Sequence, residues 1–190
     1  MITPSIGMIG LSGGDKWIQK AIRFFIKSDY SHSFTIVNGP FDGLSVIETT
    51  DSIVCMTPLD RKLNERNWVD LWQITDATQE EIKKANKIIY YKYSAMTYGY
   101  FSYIWFMYRW LCKKFKYEPK KMWSWCNKGV TCSELSSYGI SILNDKYSKI
   151  FEGIDLNTIS PKELEFIFKN NPNLFRYVGK YVSKETFCAS

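Results

Sequence analysis

The chain has 190 residues, of which 45% are hydrophobic, 17% aromatic and 23% charged, and its formal net charge is +6. Such a length suits one domain with a sizeable core, and the composition is far from the polar, highly charged signature of disorder. Five cysteines without a CxxC pair speak against a zinc ribbon or a disulfide framework, while a lone histidine and the absence of GxxxxGKS/T, GxGxxG and GxSxG strings speak against histidine-based metal sites, the usual nucleotide loops and serine hydrolases.

In chain order, Gly13-Gly14-Asp15 leads into residues 16–27, where Trp17, Ala21 and Phe25 recur at i, i+4, i+8 beside Ile18, Ile22 and Ile26. That spacing predicts an amphipathic helix with Asp15 as N-cap. Residues 33–37 and 44–50 are rich in β-branched side chains and are separated by a glycine-containing loop, which predicts a β-hairpin. Residues 68–74 read as a third strand. Thr78 and Glu81 have capping-box spacing ahead of a helix to about Lys92 with Ile82, Ala85 and Ile89 inside, and Ser160, Pro161 and Glu163 repeat the signature before 164–169.

Residues 98–112 are apolar around almost the whole helical circumference, yet fifteen residues are fewer than the roughly 20 needed to cross a bilayer. Between Tyr98 and Lys121 lie six positive residues and one negative, so this stretch carries +5 and the rest of the chain is almost neutral. A local patch of that kind suits an anionic or membrane surface, although a solvated face that aids solubility accounts for it as well. Specific nucleic-acid binding is not expected. The N-terminus has neither a basic n-region nor a long apolar h-region, so no signal peptide is expected and a cytoplasmic, reducing setting is the default, with membrane association through 98–125 as the alternative to a fully soluble chain.

The remaining chemistry is that of a thiol. Gly129 precedes Thr131-Cys132-Ser133-Glu134-Leu135, and Leu135, Tyr138 and Ile142 share one helical face, so Cys132 stands at a helix N-terminus. There the unpaired N–H groups and the positive end of the helix dipole favour a thiolate. His32 opens the first hairpin strand and Glu48 lies late in the second. Antiparallel pairing brings those positions together, so Cys132, His32 and Glu48 can form a nucleophile, base and orienting carboxylate. Each also has an ordinary packing role: a strand histidine, a small buried cysteine, a solvated glutamate.

The order His, carboxylate on the next strand, then Cys at a helix start resembles the circularly permuted branch of the NlpC-type papain-like superfamily, in particular the YiiX/YebB-like proteins. The matching pieces are residues 31–37, Val46-Ile47-Glu48, residues 98–101, residues 131–135 and residues 159–164. The resemblance implies an α+β papain-like fold, an antiparallel sheet or barrel packed against helices, one of which carries the nucleophilic cysteine. It implies one domain over 1–190 with an aromatic and basic insertion at about 98–125. It further implies a cofactor-free hydrolase of amidase or peptidase type acting on an amide- or ester-containing substrate through an acyl-enzyme, with Cys132 as nucleophile, His32 as base, Glu48 as third residue and no metal. Tyr98 is the candidate oxyanion donor beside the Cys132 N–H. A lipid-directed thiol acyltransferase or esterase at a membrane surface, and a catalytically inactive binding module of the same fold, are the alternatives. The branch that acylates lipids reads Asn-Cys-Glu-His-Phe at its nucleophile, which residues 131–135 match in part.

Overall fold

The structure is a computed structural model that describes residues 3–14, 17–39, 43–49, 53–66, 68–94, 96–99, 101–117, 119, 122–123 and 129–182. Its frame is a six-stranded antiparallel sheet in the order β4-β3-β2-β1-β5-β6, formed by β1 (Ile9–Ser12), β2 (His32–Asn38), β3 (Leu44–Thr49), β4 (Val54–Pro58), β5 (Trp68–Ile74) and β6 (Phe175–Val182). Around it lie α1 (Trp17–Ile26), α2 (Leu59–Asn64), α3 (Gln79–Tyr93), α4 (Ser102–Lys114), α5 (Cys132–Ser141), α6 (Asp145–Ile150) and α7 (Pro161–Asn170), so the chain is α+β.

The hairpin β2–β3 and the strand β5 form where the sequence predicts them. So do α1, α3 and α7, the last two closed by the expected capping boxes at Thr78 and Ser160. The proposed cap Asp15 and strand residue Thr50 lie outside the described residues, as do Cys126 and Cys188. Strands β1, β4 and β6 and the helices α2 and α6 were not anticipated.

Both faces of the sheet are covered, which divides the apolar residues of each strand by parity. Phe34, Ile36, Val46, Val69 and Leu71 pack with Leu59 and Leu63 of α2 on one face. Gly10 belongs to this face, and a Cβ there would fall 2.2 Å from the Phe34 ring, so the ring lies directly on the β1 backbone. On the opposite face, Val37 and Ile47 meet Ile89 of α3 and Leu135 of α5, while Ile9, Leu11, Trp72 and Ile74 meet Ile140, Leu164 and Phe168. Burial on both sides explains why β5 carries an inward polar residue: Asp70 is buried and accepts hydrogen bonds from the Tyr30 and Tyr177 hydroxyls, each at 2.8 Å.

Candidate active site

The base is set at the mouth of β2. His32 is the first residue of that strand, paired with Ser12 of β1, and β2 and β3 align Thr35 with Ile47. Continuing that register puts Glu48 across from Phe34, one diagonal step from His32, a span of about 7–8 Å that a glutamate side chain can bridge. It does so: the Glu48 Oε2 lies 2.7 Å from His32 Nε2. The carboxylate has a second partner that sequence reasoning missed, because Lys62 of α2 forms an ion pair with the same oxygen and is itself buried. A signal was present in the sequence. Leu59, Lys62 and Leu63 fall at i, i+3, i+4, so the lysine occupies the apolar stripe of α2 and needs a buried counter-charge.

Burial pushes the Glu48 carboxyl up, but the hydrogen bond and charge of His32 and the ammonium of Lys62 outweigh it and hold the group down at about 2. It is therefore an anion whenever the protein is near neutral pH, able to orient the ring and stabilise an imidazolium.

The thiol is delivered by α5 from the other side of the sheet. Cys132 is the first residue of that helix, and Thr131 is its N-cap in a reciprocal capping box with Glu134. The start of α5 is fixed from behind by residues 97–99: Val130 donates to the Thr97 carbonyl at 3.1 Å, and Gly99 donates to the Val130 carbonyl at 3.1 Å. Gly129 is required for that closeness, since a Cβ there would sit 2.6 Å from the Thr97 oxygen and 2.8 Å from the Gly99 nitrogen. The helix lies close to the strands through small polar residues whose hydroxyls are satisfied locally: Ser133 donates to the Ile159 carbonyl at 2.6 Å, and Ser136 shares a hydrogen bond with Ser33 at 3.0 Å.

This packing brings Cys132 to the end of β2, where a ring at the strand terminus is reachable from both faces. The thiol is 3% exposed. Burial by itself raises its pKa. The His32 charge, a hydrogen bond from His32, and hydrogen bonds from the Ser33 backbone N–H and hydroxyl reverse that effect and leave the pKa below the usual thiol value. The structure thus brings Cys132, His32 and Glu48 together.

Tyr98, the fourth candidate, is half-buried and its backbone pairs in parallel with Val130, two residues before the thiol. The capping-box carboxyl of Glu134 is raised to about 7, chiefly by burial and further by the charge of Asp155, against the Thr131 N–H bond and the charge of Lys92. Grooves of about 480 and 400 Å³ lie against α6 and between α1, α4 and α7.

No family model matches the sequence, and no curated protein matches it. Among solved structures the chain is similar to the crystal structure of the metalloprotein YiiX from Escherichia coli O157:H7, with 17% sequence identity and a TM-score of 0.52 over 98% of this chain and 93% of that one. Among the described residues no three His, Cys, Asp or Glu side chains are grouped to hold a metal ion. The carboxylate beside His32 is already neutralised by the buried Lys62 ammonium, whose charge repels a cation, so these residues do not fit a metal. With nearly the full length of both chains superposed in one α+β arrangement, the protein is YiiX-like in fold.

Proposed function

We propose that the chain is a thiol-dependent hydrolase of amidase or peptidase type on a permuted papain-like fold, with Cys132 as nucleophile, His32 as general base and Glu48 as the residue that orients the ring. The observation that carries this reading is that the single histidine is held by a buried carboxylate at 2.7 Å and is also the neighbour that lowers the pKa of the buried Cys132 thiol. A histidine kept only for packing needs neither partner.

The chemistry follows from those contacts. The Cys132 proton passes to His32, and the thiolate attacks the substrate carbonyl. Charge developing on the carbonyl oxygen is met by the Cys132 backbone N–H, one of the donors that a helix N-terminus leaves unpaired, with Tyr98 proposed as the second donor. The tetrahedral intermediate collapses, the C–N or C–O bond breaks, and the imidazolium gives its proton to the leaving group. Water, deprotonated by His32, then attacks the thioester, and the carboxylic acid leaves as the thiol is restored. Glu48 stays ionised throughout and stabilises the imidazolium between the two steps.

A generic ester, p-nitrophenyl acetate, tests the reading without knowledge of the natural substrate. Intact-mass spectrometry should detect an acetyl group on Cys132 in the wild-type protein and in neither Cys132→Ala nor His32→Ala. Acetylation that persists in Cys132→Ala at wild-type rate would remove the central assignment.

A further inference from the structure

Two helices that pack together, with the residues that flank them, carry more than the whole excess charge. Residues 17–27 hold Lys20, Arg23 and Lys27, and residues 101–117 hold Arg109, Lys113, Lys114 and Lys116, with no Asp or Glu in either stretch. These seven cations exceed the whole formal charge of +6, so the remainder of the chain sums to −1. The helices meet at Phe24, Phe25 and Trp110, whose rings lie 5.4–6.0 Å apart, and the Lys114 ammonium covers Trp110 at 4.1 Å.

Two of the tryptophans that make 98–125 look like an interfacial anchor, Trp105 and Trp110, are not outward residues. Trp105 is fully buried beside Phe106 and Trp110 is packed against α1, so only part of that aromatic content faces out. A different set does. Phe101, Ile104, Met107, Leu111 and Phe115 recur every three or four residues along one side of α4, and each is between 39% and 78% exposed. That stripe runs for about 21 Å at 1.5 Å per residue. At the seam with α1 the exposed Phe24 meets Trp110, and α1, α4 and α7 enclose a cleft of about 400 Å³ bordered by Lys27, Lys113 and Lys162, with Phe166 at its edge and Glu163, the partner of Arg109, within it.

We infer that the joined faces of α1 and α4 dock on an anionic lipid bilayer, the apolar stripe entering the acyl boundary and the lysines meeting acidic headgroups. Charge complementarity selects this occupant. Arg109 is paired with Glu163 at 2.7 Å, but Lys20, Lys27, Lys113, Lys114 and Lys116 are exposed, so a second copy of the chain would set five lysines against five, whereas acidic lipid neutralises them. Nucleic acid shares the phosphate chemistry, but aliphatic Ile104, Met107 and Leu111 offer no stacking platform, and an apolar row rimmed by lysine is the pattern of an interfacial helix. The docked helix is joined to the thiol by a short path. Arg109 Nη1 donates to the Thr158 carbonyl at 3.1 Å, and the next carbonyl, of Ile159, accepts from Ser133, the neighbour of Cys132.

Vesicle co-sedimentation of the full chain tests the inference without reference to catalysis. Vesicles of phosphatidylcholine with about a third of phosphatidylglycerol should bind at least about tenfold more protein than phosphatidylcholine alone, and the preference should fade as salt shortens the range of the attraction. Lys114→Gln with Lys116→Gln should weaken binding by roughly fivefold per lysine, and Leu111→Ser with Phe115→Ser by about tenfold or more. Far-UV circular dichroism checks that the variants fold, and the lipid and salt comparisons on the unmodified chain stand without them. Equal binding to both vesicle types overturns the inference. So do tighter binding to a single-stranded oligonucleotide than to the acidic vesicles, and a wild-type dimer in light scattering that Leu111→Ser with Phe115→Ser converts to monomer.

Discussion

Lys62→Met isolates what the buried ammonium contributes. The Lys62 and Glu48 side chains are 5% and 1% exposed, so neither charge recovers its hydration when the other is removed, and stripping one partner from such a pair costs about 3–5 kcal/mol. Proton linkage gives a similar size. A carboxyl held at about 2 in place of its ordinary 4.5 contributes about 3 kcal/mol, at roughly 1.4 kcal/mol per pKa unit, divided between His32 and Lys62. Because the folded value lies below the unfolded one, this stability is fully present above pH 4.5 and is lost as the pH falls toward 2. The neighbouring Arg61 is the control. It pairs with Glu65 at 2.9 Å, but those side chains are 72% and 47% exposed, and such surface pairs contribute at most about 1 kcal/mol. Urea unfolding followed by tryptophan fluorescence near neutral pH should move the Lys62→Met midpoint down by roughly 1.5–2.5 M, for a slope of about 2 kcal/mol per molar, and Arg61→Ala by under about 0.5 M. The gap between wild type and Lys62→Met should narrow as the solution is acidified below pH 4.5. A Lys62→Met protein as stable as the wild type, or an Arg61→Ala protein equally damaged, would refute the argument.

At mildly acidic pH, limited iodoacetamide treatment with peptide mapping should modify Cys132 ahead of the more accessible Cys55 and Cys112, because its thiolate is the one held by His32 and Ser33; preferential labelling of the other two counts against the site. On any carbonyl substrate, Cys132→Ala and His32→Ala should abolish turnover, while Glu48→Gln, which keeps a hydrogen-bond acceptor but not the charge, should lose about 10 to 10⁴-fold; full activity would pass the orienting role to another residue. Gly129→Ala should destabilise by about 1–3 kcal/mol in thermal or urea unfolding and slow turnover, since the added methyl meets backbone atoms that anchor the thiol helix. Glu134→Gln should flatten the pH dependence of unfolding between about 4.5 and 7. The raised pKa of the native carboxyl means that ionising it penalises the folded state progressively as pH rises through that window.

Local rules carried the sequence far where they are strong. The capping boxes at Thr78 and Ser160 are short-range chemistry, the hairpin strands announce themselves by β-branched runs, and a lone histidine leaves little choice of base. Antiparallel pairing sets the start of one hairpin strand against the end of the other, which is why Glu48 is expected near His32 from the sequence, while the register itself needs the structure. What escaped depends on distant partners. β1 is four residues long and its Gly10 gives no strand signal until Phe34 needs the space, and β6 is defined by β5 across more than a hundred residues. Lys62 gave only a faint signal for the same reason: its counter-charge lies on another element, and beside Asp60 and Arg61 in a six-residue helix its place on the apolar stripe is easily taken for a solvated one. The outward stripe of α4 was concealed by excess, since a helix apolar all round does not declare which side the core will take.

The position of His32 at a strand terminus divides the assembly into a front and a back. The Cys132 thiol belongs to the α5 side, whereas Glu48 and Lys62 stand on the α2 side of the strand. The sheet is therefore a partition with a single imidazole at its edge, the thiol helix on one side and the charged pair on the other. Under the proposed thiol mechanism, substitutions on α2 should retune the acid–base pair from the side away from the thiol.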